Sequence, residues 1–278
     1  MSAEVASWFA DLVPLSATAG EADYCRAWKE QAVREAYPEF LQAVRGGGLA
    51  NSLSQVFIAG YQAAIRKTFP QVALPGIAAF AVSEDRNESD PLPGVVWRPH
   101  EEGVLISGYK TWVAAIAQVE HLIVKARGPE SGQSGYFLVP VMLDRVHLEV
   151  YPSSSRLPDL SQGKAFMDDV ILPATGLLDG TGVAEFGRTE ALMIYGAFLA
   201  MVWRRSAQDS AEKSAAANLL LELQHYFLEP SATADLQALD KGVQAVLQQL
   251  VEGQWVNDQA FQRDQNLIAM YSRGLRNH

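Results

Sequence analysis

The sequence predicts an α+β chain with N-terminal helices, a central antiparallel β-sandwich or barrel, and a C-terminal helical bundle. Before residue 75 and after residue 181, apolar residues recur every three or four positions. Between residues 76 and 180 they form short runs or alternate with polar residues, and turns rich in Gly and Pro separate the runs. We therefore divide the chain into three regions, residues 1–75, 76–180 and 181–278.

The N-terminal region is predicted to contain three helices. Apolar residues fall at helical spacing in residues 3–13 and 22–43, and Pro38 breaks or kinks the second helix. Asn51 or Ser52 is suited to cap a third helix that ends before Pro70. The run Gly46-Gly47-Gly48 lacks the Lys-Ser/Thr and the preceding strand of a phosphate-binding loop. We interpret it as a turn between helices.

The central region is predicted to be a β-domain. Residues 121–126 are apolar enough for a strand covered on both faces, and Val146, Leu148 and Val150 alternate with polar residues. A polar loop, residues 84–90, follows the first strand. The predicted strands are residues 76–83, 104–113, 121–126, 136–140, 146–151 and 165–173.

The C-terminal region returns to helical periodicity. Four helices are predicted, at residues 186–203, 215–228, 236–250 and 255–275. Because short loops connect them, neighbouring helices are expected to be antiparallel and to form a bundle.

Composition excludes several classes of protein. The 278 residues are 49% hydrophobic and 19% charged, which is typical of a globular chain. A net charge of −10 with no run of Lys and Arg argues against a nucleic-acid partner. No apolar run is long enough for a membrane span, and no signal sequence is recognisable, so we expect a cytoplasmic protein. A lone Cys25 excludes an internal disulfide, and the five histidines lack metal-ligand spacing, so no metal site is expected.

Four segments of the β-region resemble acyl-CoA dehydrogenases. Ser83-Glu84 followed by Ser89-Asp90 is similar to the Thr-Glu-Pro-x-x-Gly-Ser-Asp loop of that family. Residues 103–113 resemble its Gly-x-x-x-x-x-Gly-x-Lys-x-Trp-Ile strand pair, and residues 122–127 and 170–174 resemble the next strand and the exit from the β-domain. The order of helices, β-domain and bundle is also that of the family. The resemblance implies a divergent member with shortened N-terminal helices and a compressed bundle.

The resemblance implies an FAD site on the β-domain. Carried over by position, Val82 and Ser83 would bind the flavin, Ser89 would lie near substrate or the FAD phosphates, and Trp112 would pack beside the ring. The alternative interpretation is that Val82 and Trp112 are core residues of a sandwich.

Three departures from the family pattern argue against tight FAD binding. Ala114 stands where the family has a Thr or Ser, which removes a hydroxyl contact. Residues 85–88, Asp-Arg-Asn-Glu, replace Pro-x-x-Gly where backbone must approach the cofactor closely. Residues 203–206, Trp-Arg-Arg-Ser, supply arginines but lack the Phe-Gly of the family's pyrophosphate-binding segment.

Glu190 is the candidate catalytic base. Some family members carry this glutamate at the start of the first helix after the β-domain, where Gly187-Arg-Thr-Glu190 stands here. Alignment places Thr189 at the base position, so an offset of one residue stays open. Alternatively, Glu190 merely complements the dipole of the helix N-terminus.

The resemblance leaves two functions open. The first is a flavoprotein of fatty acid metabolism that performs the α,β-dehydrogenation of an acyl-CoA thioester with hydride transfer to FAD. The second is a non-catalytic homologue without tight FAD binding, which acts as a binding subunit or pairs with a complete acyl-CoA dehydrogenase. In both cases the family's assembly implies a homo-oligomer formed through the bundle.

Overall fold

The computed structural model describes residues 3–33, 37–71, 76–130, 132–153, 157–229, 235–253 and 255–276. Two compact units make up the chain: a helical unit, residues 1–67 and 185–278, and a β unit, residues 68–184. The structure thus gathers the first and last of the three predicted regions into one unit.

The helical unit contains the predicted helices with some changes in their bounds, but the single helix predicted over residues 22–43 is two helices, the second of which begins at Glu39, directly after Pro38. A π-helical turn, Trp28–Ala32, follows the second helix and buries Trp28. The helices are α1 Ala3–Ser7, α2 Glu21–Ala27, α3 Glu39–Leu49, α4 Leu53–Thr68, α5 Phe186–Arg205, α6 Ala211–Leu228, α7 Leu236–Glu252, α8 Gln259–Asp264 and α9 Asn266–Arg276. In α4, Thr68 itself belongs to the β unit.

Helix α5 is the centre of the helical unit. Every residue from Ala191 to Trp203 is buried, so the helix is covered on all sides. It packs against α3, α6 and α9. A helix that is hydrophobic all round is expected only where other elements surround it.

The prediction that Gly46-Gly47-Gly48 forms a turn is wrong. These glycines are part of α3. A Cβ on Gly47 would collide with the backbone of Ala197 on α5, and one on Gly46 would lie 2.6 Å from the Trp28 ring. The glycines therefore serve close packing of α3 against its neighbours, which outweighs their poor helix propensity.

The C-terminal prediction of one helix over residues 255–275 also needs correction. The Asp258 side chain caps a new helix by accepting a hydrogen bond from the Phe261 N–H at 3.0 Å, so α8 begins at Gln259. Gln265 separates α8 from α9. At the other end of the chain α1 stops at Ser7, although Trp8, Phe9 and Leu12 are buried as their spacing predicted.

The β unit contains one open sheet. Its strands are β1 Ala78–Ala81, β2 Val96–His100, β3 Gly103–Ala114, β4 His121–Arg127, β5 Ser134–Pro140, β6 Val146–Val150, β7 Gln162–Leu172 and β8 Leu177–Leu178. The order is β6-β7-β3-β2-β4-β5-β8, with β1 paired to β4. Most pairs are antiparallel as expected, but β1 runs parallel to β4, and β2 meets β4 in parallel at Val96 and Arg127.

Alternate side chains of the long strands form the core of the β unit. Strand β4 contributes Leu122 and Val124, and β5 contributes Phe137 and Val139, all fully buried. Strand β6 pairs only with β7 in the described part of the sheet. On it Val146 is buried while Val150 is 54% exposed, because an edge strand is covered less completely than its alternation predicts.

Across the described ranges, no helix combines the length and the apolar character that crossing a membrane requires.

Candidate functional site

Val82 and Ser83 directly follow β1 and lie beside β3. The Thr111 N–H donates a hydrogen bond of 2.9 Å to the Ser83 carbonyl oxygen, which fixes this segment next to Trp112. Val82 is 39% exposed and Ser83 is half-buried. Both side chains therefore lie at the surface of the β unit.

Trp112 lies where β3 loses regular pairing. The β3–β7 register shifts between Lys110 and Val113, a β-bulge that redirects the intervening side chains. The indole is half-buried, and its Nε1–H donates to Gln162 Oε1 at 3.0 Å. The structure thus places the backbone of Val82 and Ser83 beside the part of β3 that carries Trp112.

A buried lysine holds the segment that follows β1. Lys110 is completely buried, and its Nζ donates to Glu84 Oε1 at 2.7 Å and to the Val82 carbonyl oxygen at 3.4 Å. Burial lowers the pKa of Lys110, while the hydrogen bond and charge of Glu84 oppose this effect. A Cβ on Gly94 would collide with the Glu84 carboxylate, so glycine leaves room for the pair.

The polar loop after Glu84 is closed by its own hydrogen bonds. Asp85 accepts from the N–H groups of Leu92 at 3.0 Å and Asn87 at 2.9 Å, which lower the pKa of its carboxyl in that order. The exposed Ser89 hydroxyl donates to Asn87 Oδ1 at 2.9 Å. Within the described residues, Ser89 makes no hydrogen bond to Val82, Ser83 or Trp112.

Glu190 belongs to the helical unit, whereas the other four predicted site residues belong to the β unit. It lies in the second turn of α5, and the first turn holds no acidic residue. The Tyr271 hydroxyl on α9 donates to Glu190 Oε1 at 3.2 Å. Burial raises the pKa of Glu190 to about 7, and the Tyr271 hydrogen bond acts in the opposite direction.

The helical unit includes a small cavity and a wider cleft. The small cavity, of about 70 Å³, is partly open and mostly apolar, and it is lined by Trp8, Phe40, Met193 and Phe227, among others. An open cleft of about 380 Å³ is lined by Lys67, Glu185, Arg188, Thr189, Leu192, Tyr226 and Phe227. Thr189, the alternative base position, therefore lines this cleft, whereas the Glu190 carboxylate contacts Tyr271.

Comparison with known proteins identifies the architecture. No protein-family model matches the sequence, and no curated protein matches it. Among solved structures, apo PigA aligns over 100% of this chain and 94% of its own, with a TM-score of 0.66 and 12% identity. The prolyl acyl carrier protein oxidase AnaB aligns over 99% and 93%, with a TM-score of 0.62 and 11% identity. Glutaryl-CoA dehydrogenase from Mycobacterium smegmatis aligns over 98% and 79%, with a TM-score of 0.56 and 16% identity.

The chain has the acyl-CoA dehydrogenase fold. This confirms the predicted fold class, and the coverage spans nearly the whole chain. At 11 to 16% identity the likeness establishes the fold alone.

The residues on the β unit of this acyl-CoA dehydrogenase fold suit the ring of a flavin. Val82 offers apolar surface, Trp112 offers an aromatic ring, and the Ser83 hydroxyl makes no hydrogen bond within the described residues. Such a set matches a planar heteroaromatic group with polar edges.

The remainder of FAD has fewer matching groups. Ala114 is 1% exposed and carries no hydroxyl. Arg205, from the segment that stands in place of the pyrophosphate-binding residues, pairs with Asp258 at 2.6 Å and lies 4.2 Å from the centre of the Trp255 ring. Its guanidinium is thus already bound within the helical unit. No group of His, Cys, Asp and Glu in the described ranges could hold a metal ion.

The sequence pattern does not identify Tyr271 as a partner of Glu190. The two residues are 81 positions apart, and Tyr271 reads locally as one apolar position of an amphipathic helix. The helical period indicates which face is buried, but it does not indicate which residue lies opposite.

Proposed function

We propose that this chain is a flavin-dependent oxidoreductase that dehydrogenates an acyl thioester, with Glu190 as general base. Neighbours of the same fold include a FAD-dependent dehydrogenase, a glutaryl-CoA dehydrogenase and a prolyl acyl carrier protein oxidase. Their names support a thioester substrate, with the acyl group carried by CoA or by a carrier protein.

The observation that carries the proposal is the Glu190 carboxyl. A general base works best when its pKa is close to the operating pH. Burial brings the pKa of this carboxyl to about 7, so near neutrality it readily exchanges between its two protonation states. A carboxyl whose pKa is so strongly raised is a candidate for function rather than an ordinary helix-dipole partner.

The proposal assigns each residue a role. Val82, Ser83 and Trp112 would hold the flavin ring, and the Lys110–Glu84 pair would keep that surface in place. Glu190 would take the proton from the α-carbon of the thioester. The chemistry a bound flavin supplies is acceptance of the hydride from the β-carbon. Loss of the proton and the hydride leaves a carbon–carbon double bond and a reduced flavin, so electrons and atoms balance.

An absorbance spectrum tests flavin binding. The purified protein is incubated with excess FAD, passed through gel filtration and scanned from the near ultraviolet to the visible. The proposal expects the two absorbance bands of an oxidised flavin to co-elute with protein. A protein that stays colourless would contradict the flavoenzyme assignment for the isolated chain.

Anaerobic bleaching tests the role of Glu190. A panel of acyl-CoA and acyl-carrier thioesters is mixed with the flavin-loaded protein, and loss of visible absorbance is followed. Glu190→Gln should retain the flavin but slow bleaching by about a hundredfold or more, since general bases contribute 10²–10⁴-fold. An equal rate in both proteins would remove Glu190 from the mechanism.

A second candidate function is a non-catalytic subunit with the same fold. It is favoured by the buried Ala114, by the loop that Asp85 closes and by the engaged Arg205. A colourless protein that nevertheless binds an acyl thioester or a complete dehydrogenase would support this alternative.

A further inference from the structure

Helix α9 carries a hydrogen-bonded contact to Glu190 that the predicted chemistry did not include. The Tyr271 hydroxyl donates to Glu190 Oε1 at 3.2 Å. Both side chains are half-buried. A phenol that donates to one carboxylate oxygen restricts rotation of the carboxylate and leaves the other oxygen available to a substrate proton.

The residue after Tyr271 anchors the helix. The Ser272 hydroxyl donates to Asp240 Oδ2 on α7 at 2.8 Å. Asp240 is completely buried and also accepts a hydrogen bond of 2.7 Å from the Tyr195 hydroxyl on α5. Gln244 Nε2 in turn donates to the Tyr195 oxygen at 2.9 Å. This buried network fixes α9 against both α5 and α7 directly beside Tyr271.

We infer that Tyr271 is the positioning residue of Glu190: its hydroxyl holds the carboxylate, and the Ser272–Asp240–Tyr195 network holds Tyr271. The catalytic part of this inference rests on the proposed function, in which Glu190 is the general base. Tyr271 is assigned no contact with a reacting atom, so it acts only through Glu190.

The electrostatics of the contact agree with this role. Burial, followed by the charge and hydrogen bond of Glu190, raises the pKa of Tyr271 well above its usual value. The phenol therefore keeps its proton at neutral pH and acts as a donor. Tyr61 on α4 also raises the pKa of Tyr271. A donor to a carboxylate stabilises its ionised form, so the contact limits the rise that burial causes in the Glu190 pKa.

Direct titration of Glu190 tests the inference without flavin or substrate. Carbon-13 resonances of labelled glutamate carboxyls are followed against pH by NMR, and Glu190→Gln identifies the signal. In Tyr271→Phe, the carboxyl pKa should rise by roughly one pH unit, because a hydrogen bond to an ionised group is lost. Tyr226→Phe on α6 is the matched control and should leave the titration unchanged. An unchanged Glu190 titration in Tyr271→Phe would overturn the inference.

A second substitution keeps the test decisive if Tyr271→Phe fails to fold. Incorporation of 3-fluorotyrosine in place of Tyr271 retains the hydroxyl but makes it more acidic and a stronger donor. The Glu190 pKa should then fall, opposite to the effect of phenylalanine. A shift upward, or none, would overturn the assignment.

The pH profile of turnover separates positioning from a general structural role. If a thioester bleaches the flavin absorbance, Tyr271→Phe should lower kcat/KM about fivefold at pH 7. The kcat/KM of the variant should recover at higher pH, where Glu190 is ionised in both proteins. A uniform loss at every pH would overturn the positioning role. Because the NMR titration needs no activity, it can succeed even where the dehydrogenase proposal fails.

Discussion

At Glu190, the proposed chemistry and the stability of the folded chain place opposite demands on one carboxyl. A carboxyl in a glutamate's usual range is fully ionised and weakly basic at neutral pH. Burial raises the pKa of Glu190 to about 7 and makes it a stronger base, but the folded chain then disfavours the charged form. Buried ionisable groups whose charged form is disfavoured are common at functional sites, and they lower the stability of the folded chain.

The pH dependence of unfolding should reveal this cost. The Glu190 pKa is about 7 in the folded chain against a usual value of 4.5, so the folded state holds the proton more tightly. Its contribution is fully retained below pH 4.5 and is lost as pH rises to about 7. Glu190→Gln removes this dependence and should gain up to about 3 kcal/mol over the parent chain between pH 4.5 and 8.

Urea unfolding at several pH values checks this expectation. Glu222→Gln on the exposed face of α6 serves as the control, because that carboxyl lies in water. The stability difference between Glu190→Gln and the parent should grow with pH, while that of the control should stay constant. Parallel curves for all three proteins would show that Glu190 titrates normally.

At the scale of elements, the contact between α3 and α5 decides how closely the helical unit packs. Gly47 lies against the Ala197 backbone, where a Cβ has no space. Gly187, in the first turn of α5, has open space around its Cα. The same substitution should therefore have opposite effects at the two positions.

Gly47→Ala should destabilise the chain by about 1–3 kcal/mol, because two packed backbones must move apart. Gly187→Ala should stabilise it by up to about 1 kcal/mol through helix propensity. Chemical denaturation of both variants provides the measurement. A stabilised Gly47→Ala would mean that α3 and α5 are not in close contact.

Long elements with one clear period were predictable from the sequence, and elements defined by a partner were not. The apolar stripe of α4 and the apolar runs of β4 and β5 can be recognised from the sequence alone. Strand β2 was missed because Arg98, Pro99 and His100 interrupt any alternation. It is a strand because β3 pairs with it from Val96 to His100, a contact that local sequence does not encode.

The candidate site divides in the same way. Val82, Ser83, Ser89, Trp112 and Glu190 were carried over from segments that resemble acyl-CoA dehydrogenases, and their roles stay predictions. The contact of Tyr271 with Glu190 depends on the packing of α9 against α5, which the sequence does not show. The contact of Lys110 with Glu84 joins residues 26 positions apart, so it too could not be predicted from local sequence. A lysine in an otherwise apolar strand was the one available signal, since a buried charge needs a partner.

At the scale of the whole molecule, the two units carry different parts of the proposed chemistry. Val82, Ser83 and Trp112, proposed to hold the flavin ring, belong to the β unit, and Glu190, the proposed base, belongs with Tyr271 to the helical unit. The helical unit also exposes large apolar side chains, including Leu228, Val256 and Met270. Exposed apolar side chains on a helical bundle are candidates for contact with another chain.

We expect the chain to self-associate through its helical unit, as the assembly of acyl-CoA dehydrogenases implies. Light scattering at micromolar concentration should give a mass above the 30.4 kDa of one chain. Met270 on α9 is 58% exposed, and Met142 in the β unit is 86% exposed. Met270→Lys should reduce the mass because it places a charge in the contact, whereas Met142→Lys should not. A monomeric mass for the parent chain would refute self-association, and loss of assembly in Met142→Lys alone would assign the contact to the β unit.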